Sequence, residues 1–138
     1  MKSKQFFITV SAIFIFALLW NGIVHMLILR EADVILNTIG RGETERNMTL
    51  SLLATAALSV LFVWSYSRFA RQGTLREGIT HGLFFGILAG VLVDLNQYIL
   101  YPVPAALALS WFAFGLIEFC CYGILASKLY PVKHSPED

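Results

Sequence analysis

Residues 78–100 read GITHGLFFGILAGVLVDLNQYIL. They hold one charged side chain, Asp94. As a helix rising 1.5 Å per residue they extend about 35 Å, enough to cross the roughly 30 Å hydrocarbon core of a bilayer. Within the stretch, Gly78, Gly82, Gly86 and Gly90 recur every fourth residue. At 100° per residue this spacing drifts slowly around the helix, so the glycines form a slanted groove that another helix backbone can approach closely. The expected occupant is a neighbouring helix of the same chain. A dimer interface and a lining for a ligand or pore are the alternatives.

Three further stretches match the first in length and apolarity: residues 6–29, 48–67 and 104–127. Seventeen of the 19 charged residues lie outside the four, and only Asp94 and Glu118 lie inside. The chain is 57% hydrophobic and 14% charged, where a water-soluble domain is nearer half and a quarter. Such a composition excludes a soluble globule and a disordered chain. The expected fold is all-α: a single membrane domain over residues 1–138, an integral membrane four-helix bundle with an outer loop at 30–47 and a disordered tail at 131–138. The first span follows Lys2 and Lys4 but is too long for a signal-peptide core and lacks a small-x-small cleavage site, so it reads as an uncleaved anchor.

Lys2, Lys4, Arg68, Arg71, Arg76, Lys128 and Lys133 fall on one side of a four-span topology. Arg30, Arg41 and Arg46 fall on the other, diluted by four acids. Seven against three places both termini in the cytoplasm, with the bacterial cytoplasmic (inner) membrane as the expected location. The net charge of +1 excludes nucleic acid as a partner. The partners expected are the lipid bilayer and other membrane subunits or a second copy of the chain. Trp64, Tyr66, Tyr98, Tyr101 and Tyr130 stand at span ends, where interfacial belts form.

The linker Tyr101-Pro102-Val103-Pro104 is short, so spans three and four form a tight antiparallel hairpin. ADVILNTIG in the outer loop reads as a short amphipathic piece, and GRGETER as a polar turn. Each span offers one face of small or polar residues. Span one presents Phe14, Ala17, Asn21, His25 and Ile28; span two Ser51, Thr55 and Ser59; span four Ala108, Trp111, Gly115, Glu118 and Tyr122. Gly115 joins the span-three glycines as a helix-packing residue. Four such faces meeting centrally predict a partly polar interior.

An ionisable group in the membrane costs about 2.5–3.5 kcal/mol and faces the bundle interior or a cavity. The candidates here are Asn21, His25, His81, Asp94 and Glu118. Depth counted from span midpoints places Asn21, His25 and Asp94 in an outer layer, with Asp94 and His25 as the natural pair. Glu118 falls about 4 Å and His81 about 12 Å toward the other side. The resulting polar path has a gap of roughly 10 Å between Asp94 and Glu118, to be bridged by water or Tyr122.

There is no H-E-x-x-H, P-loop or G-x-S-x-G, and Cys120 and Cys121 are adjacent rather than spaced for redox or zinc chemistry. No catalytic residue, metal or cofactor is therefore expected. The expected function is a non-catalytic accessory or assembly subunit docking on other membrane helices. The alternative is a small oligomeric transporter or channel with a proton-linked polar path through Asp94 and Glu118.

Overall fold

The computed structural model describes residues 3–41 and 43–132. Lys2, Lys133 and most of the expected disordered tail lie outside the described residues. Four helical segments are long and apolar enough to cross a membrane: Ser3–Ile28, Met48–Phe69, Leu75–Leu100 and Ala105–Leu129. No strand occurs among the described residues. The protein is thus all-helical, with four apolar helices compatible with a membrane helical bundle.

The first span is α1 (Ser3–Ile23) continued by a π-helical turn, Val24–Ile28. The amphipathic piece of the outer loop is α2 (Arg30–Ile39). It exposes Val34 and Ile35 and packs Ile39 against a small cluster of Val24, Leu29, Val103 and Leu107. A single 3-10 turn, Glu43–Glu45, leads to α3 (Met48–Phe69). The third span is α4 (Leu75–Ala89), a second π-helical turn (Gly90–Leu95) and the short α5 (Asn96–Leu100). The fourth is α6 (Ala105–Leu129).

Local chemistry sets the helix starts. Asn47 caps α3 by accepting from the Leu50 N–H at 3.0 Å, and Thr74 caps α4 by accepting from the Glu77 N–H at 3.2 Å. Glu77 then reaches back, as the third helical residue of a capping box does. Its carboxylate accepts from the backbone N–H groups of Arg71, Gln72 and Gly73 at 3.2, 2.9 and 2.7 Å. The loop between α3 and α4 is therefore wound around one side chain. Gly73 at φ +66° supplies the left-handed residue that this winding needs.

α4 and α6 form the expected antiparallel hairpin, and the glycine groove is filled by α6 along its whole length. A Cβ on Gly78 would strike the carbonyl of Gly123; one on Gly82 would strike that of Phe119. One on Gly86 would come within 3.0 Å of Leu116, and one on Gly90 would overlap the Phe112 ring. The partner residues fall in sequence as the glycines rise, which makes the pair antiparallel. Gly123 answers Gly78 from the other side, since its own Cβ would strike the Gly78 carbonyl. Gly115 departs from its expected packing role: a Cβ there would meet nothing within 4 Å.

The core lies toward the end of the bundle that carries Lys4, Arg68, Arg71, Arg76 and Lys128, termed here the basic end. Phe6, Ile13 and Ala17 of α1, Phe62, Val63 and Tyr66 of α3, and Phe119, Tyr122 and Ala126 of α6 are buried there together. This interior is aromatic rather than partly polar. Phe62 meets His81, Phe85 and Tyr122 at ring separations of 5.0, 5.1 and 5.6 Å. The buried hydroxyls of Thr9 and Ser59 bond to the carbonyls of Gln5 and Thr55 one turn back in their own helices, so they need no cross-helix partner.

Two interfacial tyrosines are corrected. Tyr66 is 0% exposed because the last turn of α3 faces α4, where its ring packs edge-on to His81 at 5.5 Å. Tyr130 is buried in the same core. The faces assigned to spans one and two also shift. The buried stripe of α1 runs Phe6, Thr9, Ile13, Ala17, and then Val24 in the π-helical turn, while Ile28 is 53% exposed. A π-helical turn holds an extra residue, so a face projected at 100° per residue loses register across it. On α3, Ser59 is buried but Ser51 is exposed, because the first half of that helix stands away from the others.

Candidate functional site

Away from the basic end, residues of all four spans line a crevice of about 350 Å³. Asn21 and His25 line it from span one, Asp94 and Gln97 from span three, and Trp111, Gly115 and Glu118 from α6. Four of the five expected polar residues therefore share one cavity. His81 does not. The missing side chain of Gly115 contributes open space, which explains why this glycine contacts no helix.

The base of the crevice is a hydrogen-bonded group. The Asn21 side-chain amide donates to Glu118 Oε1 at 2.9 Å and to the Ala17 carbonyl at 2.9 Å. The Tyr122 hydroxyl donates to the same Oε1 at 2.5 Å. Glu118 also lies within electrostatic reach of His25. The Asp94–His25 pair is corrected accordingly. No hydrogen bond or ion pair joins these two among the described residues, and the carboxyl that answers span one is Glu118.

The depth estimate separated Asn21 from Glu118, and the structure joins them. Side chains lean toward the N-terminus of their own helix. α1 and α6 run antiparallel, with Phe16 against Tyr122 at 6.0 Å and Trp20 against Phe114 at 6.4 Å. Asn21 therefore leans toward the basic end and Glu118 away from it, and the two close the distance that midpoint counting left between them.

Both π-helical turns border this crevice. His25 sits in the first and Asp94 in the second. Such turns are rare and recur at functional sites. No sequence pattern announced them. Aromatic walls complete the cavity, with Trp20, Trp111 and Phe114 among its lining. The Trp111 indole N–H is buried without a hydrogen-bond partner among the described residues.

Below Glu118 the polar lining stops. Tyr122, Phe119, Phe62 and Phe85 form a layer of rings in mutual contact at 5.1 to 6.3 Å. His81 lies beyond this layer, against Phe62 and Phe85. The expected continuous path from Glu118 to His81 is thus interrupted by aromatic side chains. His81 Nε2 stands 2.9 Å from Ser65 Oγ. The Ser65 hydroxyl donates to the Phe62 carbonyl at 3.0 Å, so it accepts from His81. No group of three or more potential metal ligands occurs among the described residues.

Comparison of the chain with protein-family models, with characterised proteins and with solved structures finds no match.

Proposed function

We propose that the protein is a small membrane transporter that takes a small organic cation into the crevice and exchanges it for a proton at Glu118. The observation that carries this reading is the meeting of two carboxyls, Asp94 and Glu118, with the side chains of Trp20, Trp111 and Phe114 in the lining of one cavity. Carboxylates attract a cation through charge, and aromatic faces attract it through their quadrupole, more strongly where water is thinned. Glu118 is the exchanging group because it is the carboxyl held between two spans at the base of the crevice, with Asn21 and Tyr122 both donating to it. The aromatic layer beneath it supports gated exchange rather than an open channel.

The excess of Lys and Arg at the basic end supports a topology with that end and both termini in the cytoplasm, and the crevice opening to the outside. A bacterial inner membrane suits this arrangement.

Docking as an accessory subunit is the second reading. It loses the glycine groove as a docking surface, because α6 of the same chain fills it. What favours it is the uncovered first half of α3, where Met48, Leu50 and Leu53 are each more than 60% exposed.

Liposomes with a pH gradient and a fluorescent organic cation such as ethidium test the transport reading. Proton-driven movement that is lost in both Glu118→Gln and Asp94→Asn supports it. Full flux in both variants sinks it.

A further inference from the structure

A second cavity, of about 580 Å³, opens at the basic end between the last turn of α3, the following loop and the first turns of α4. The transport reading makes no use of it. At its inner wall is Tyr66, 0% exposed, whose hydroxyl has no hydrogen-bond partner among the described residues. A buried hydroxyl without a partner is costly unless something outside the protein completes it. Arg76 lines the same cavity and forms no ion pair among the described residues. Thr80, one helical turn along α4, adds a second hydroxyl. The one carboxylate in the lining, Glu77, is turned into the loop, where three backbone N–H groups hold it. Of the other polar side chains in the lining, Thr74 caps α4, His81 meets Ser65 and Gln72 carries an amide. Arg76, Tyr66 and Thr80 add a guanidinium and two hydroxyls, the complement of an anion rich in oxygen acceptors.

The rim indicates what carries that anion. Phe69 and Phe84 line the cavity yet are 72% and 62% exposed, so its side walls are apolar and open outward. A polar pocket at a span end, opening between exposed phenylalanines, matches a headgroup with acyl chains attached. We propose that this cavity binds the phosphate group of a membrane phospholipid, with Arg76, Tyr66 and Thr80 as its donors.

The test uses the whole chain purified in a maltoside detergent, with the unfolding midpoint followed against added dioleoylphosphatidylglycerol. Two further arms separate the parts of that molecule: dioleoylglycerol has the chains without the phosphate, and inorganic phosphate is the group without the chains. Saturable stabilisation by the phospholipid alone is expected. Arg76→Gln and Tyr66→Phe should each weaken its apparent affinity by about tenfold or more. Tyr66→Phe removes an oxygen that has no hydrogen-bond partner among the described residues, so the lipid-free midpoint should not fall. Equal stabilisation by dioleoylglycerol overturns phosphate recognition, and equal stabilisation by inorganic phosphate overturns the lipid assignment. Wild-type affinity in Arg76→Gln, a substitution at an exposed position, overturns the site itself.

Discussion

Asn21 and Glu118 lie 97 residues apart in the chain and are joined by a hydrogen bond of 2.9 Å. This bond ties the first span to the last and sets the base of the crevice. Within a membrane such a bond is worth about 0.6–2 kcal/mol, a modest sum. Its larger consequence is positional, because it holds a carboxyl at a fixed place between two helices.

Glu118→Gln keeps an acceptor oxygen for Asn21 and Tyr122 but cannot ionise. The variant should fold with its unfolding midpoint within a few degrees of wild type, since the change costs less than about 1 kcal/mol. Proton-driven cation flux should fall at least tenfold. Flux at the wild-type level in a folded Glu118→Gln protein would remove Glu118 from the exchange step.

Two glycines on the hairpin should respond in opposite ways to the same substitution. Gly82→Ala drives a methyl group into the Phe119 carbonyl and should destabilise the hairpin by about 2 kcal/mol or more. Gly115→Ala meets open space and should raise stability by up to about 1 kcal/mol through helix propensity. Thermal unfolding in detergent measures both. A tolerated Gly82→Ala would contradict the close approach of α4 and α6.

The loop wound on Glu77 makes a separate prediction. Glu77→Ala leaves the N–H groups of Arg71, Gln72 and Gly73 without their acceptor and should cost about 1 kcal/mol or more. Gly73→Ala forces a side chain onto φ +66° and against Val132 at 3.2 Å, with a cost of about 1–2 kcal/mol. Amide hydrogen exchange should accelerate locally in Glu77→Ala. Unchanged protection at Gln72 and Gly73 would show that the carboxylate does not order the loop.

Trp111→Phe removes a buried indole N–H that has no hydrogen-bond partner among the described residues. It keeps an aromatic face toward the crevice but loses ring area. Stability should hold or rise, because the desolvation cost of an unsatisfied donor, about 1–3 kcal/mol, disappears. Affinity for an organic cation should weaken only a few-fold, as Phe is a poorer cation–π surface than Trp. A loss of more than about 1 kcal/mol in unfolding free energy would mean that the N–H is bonded in the native protein.

Much of the molecule was legible from residue order. Span positions followed from apolar length, and the hairpin followed from prolines at 102 and 104 and from the glycine spacing on its first arm. The Thr74–Glu77 capping pair is also written in the sequence, as Thr-x-x-Glu before an apolar run. For the candidate site, residue types were legible and pairings were not. Asp94, Glu118, His25 and Asn21 stood out because polar groups in apolar spans always do. Their partners depended on helix-end stagger and side-chain lean, which midpoint depth does not contain. The π-helical turns carrying His25 and Asp94 had no sequence signal at all.

By itself, the sequence determined that four helices would need a bilayer, because the cost of exposing such long apolar stretches to water leaves no other solvent. It also determined that one of them could be approached closely, because a glycine face has no side chains to hold a neighbour away. Only the tertiary structure decided who approaches. α6 covers that face because a four-residue connection delivers it there. The same antiparallel packing turns Asn21 and Glu118 toward each other and leaves Asp94 facing the crevice without a side-chain hydrogen bond among the described residues. Burial is a property of one segment and can be read along it; pairing is a property of two, and it exists only once their relative height and rotation are set.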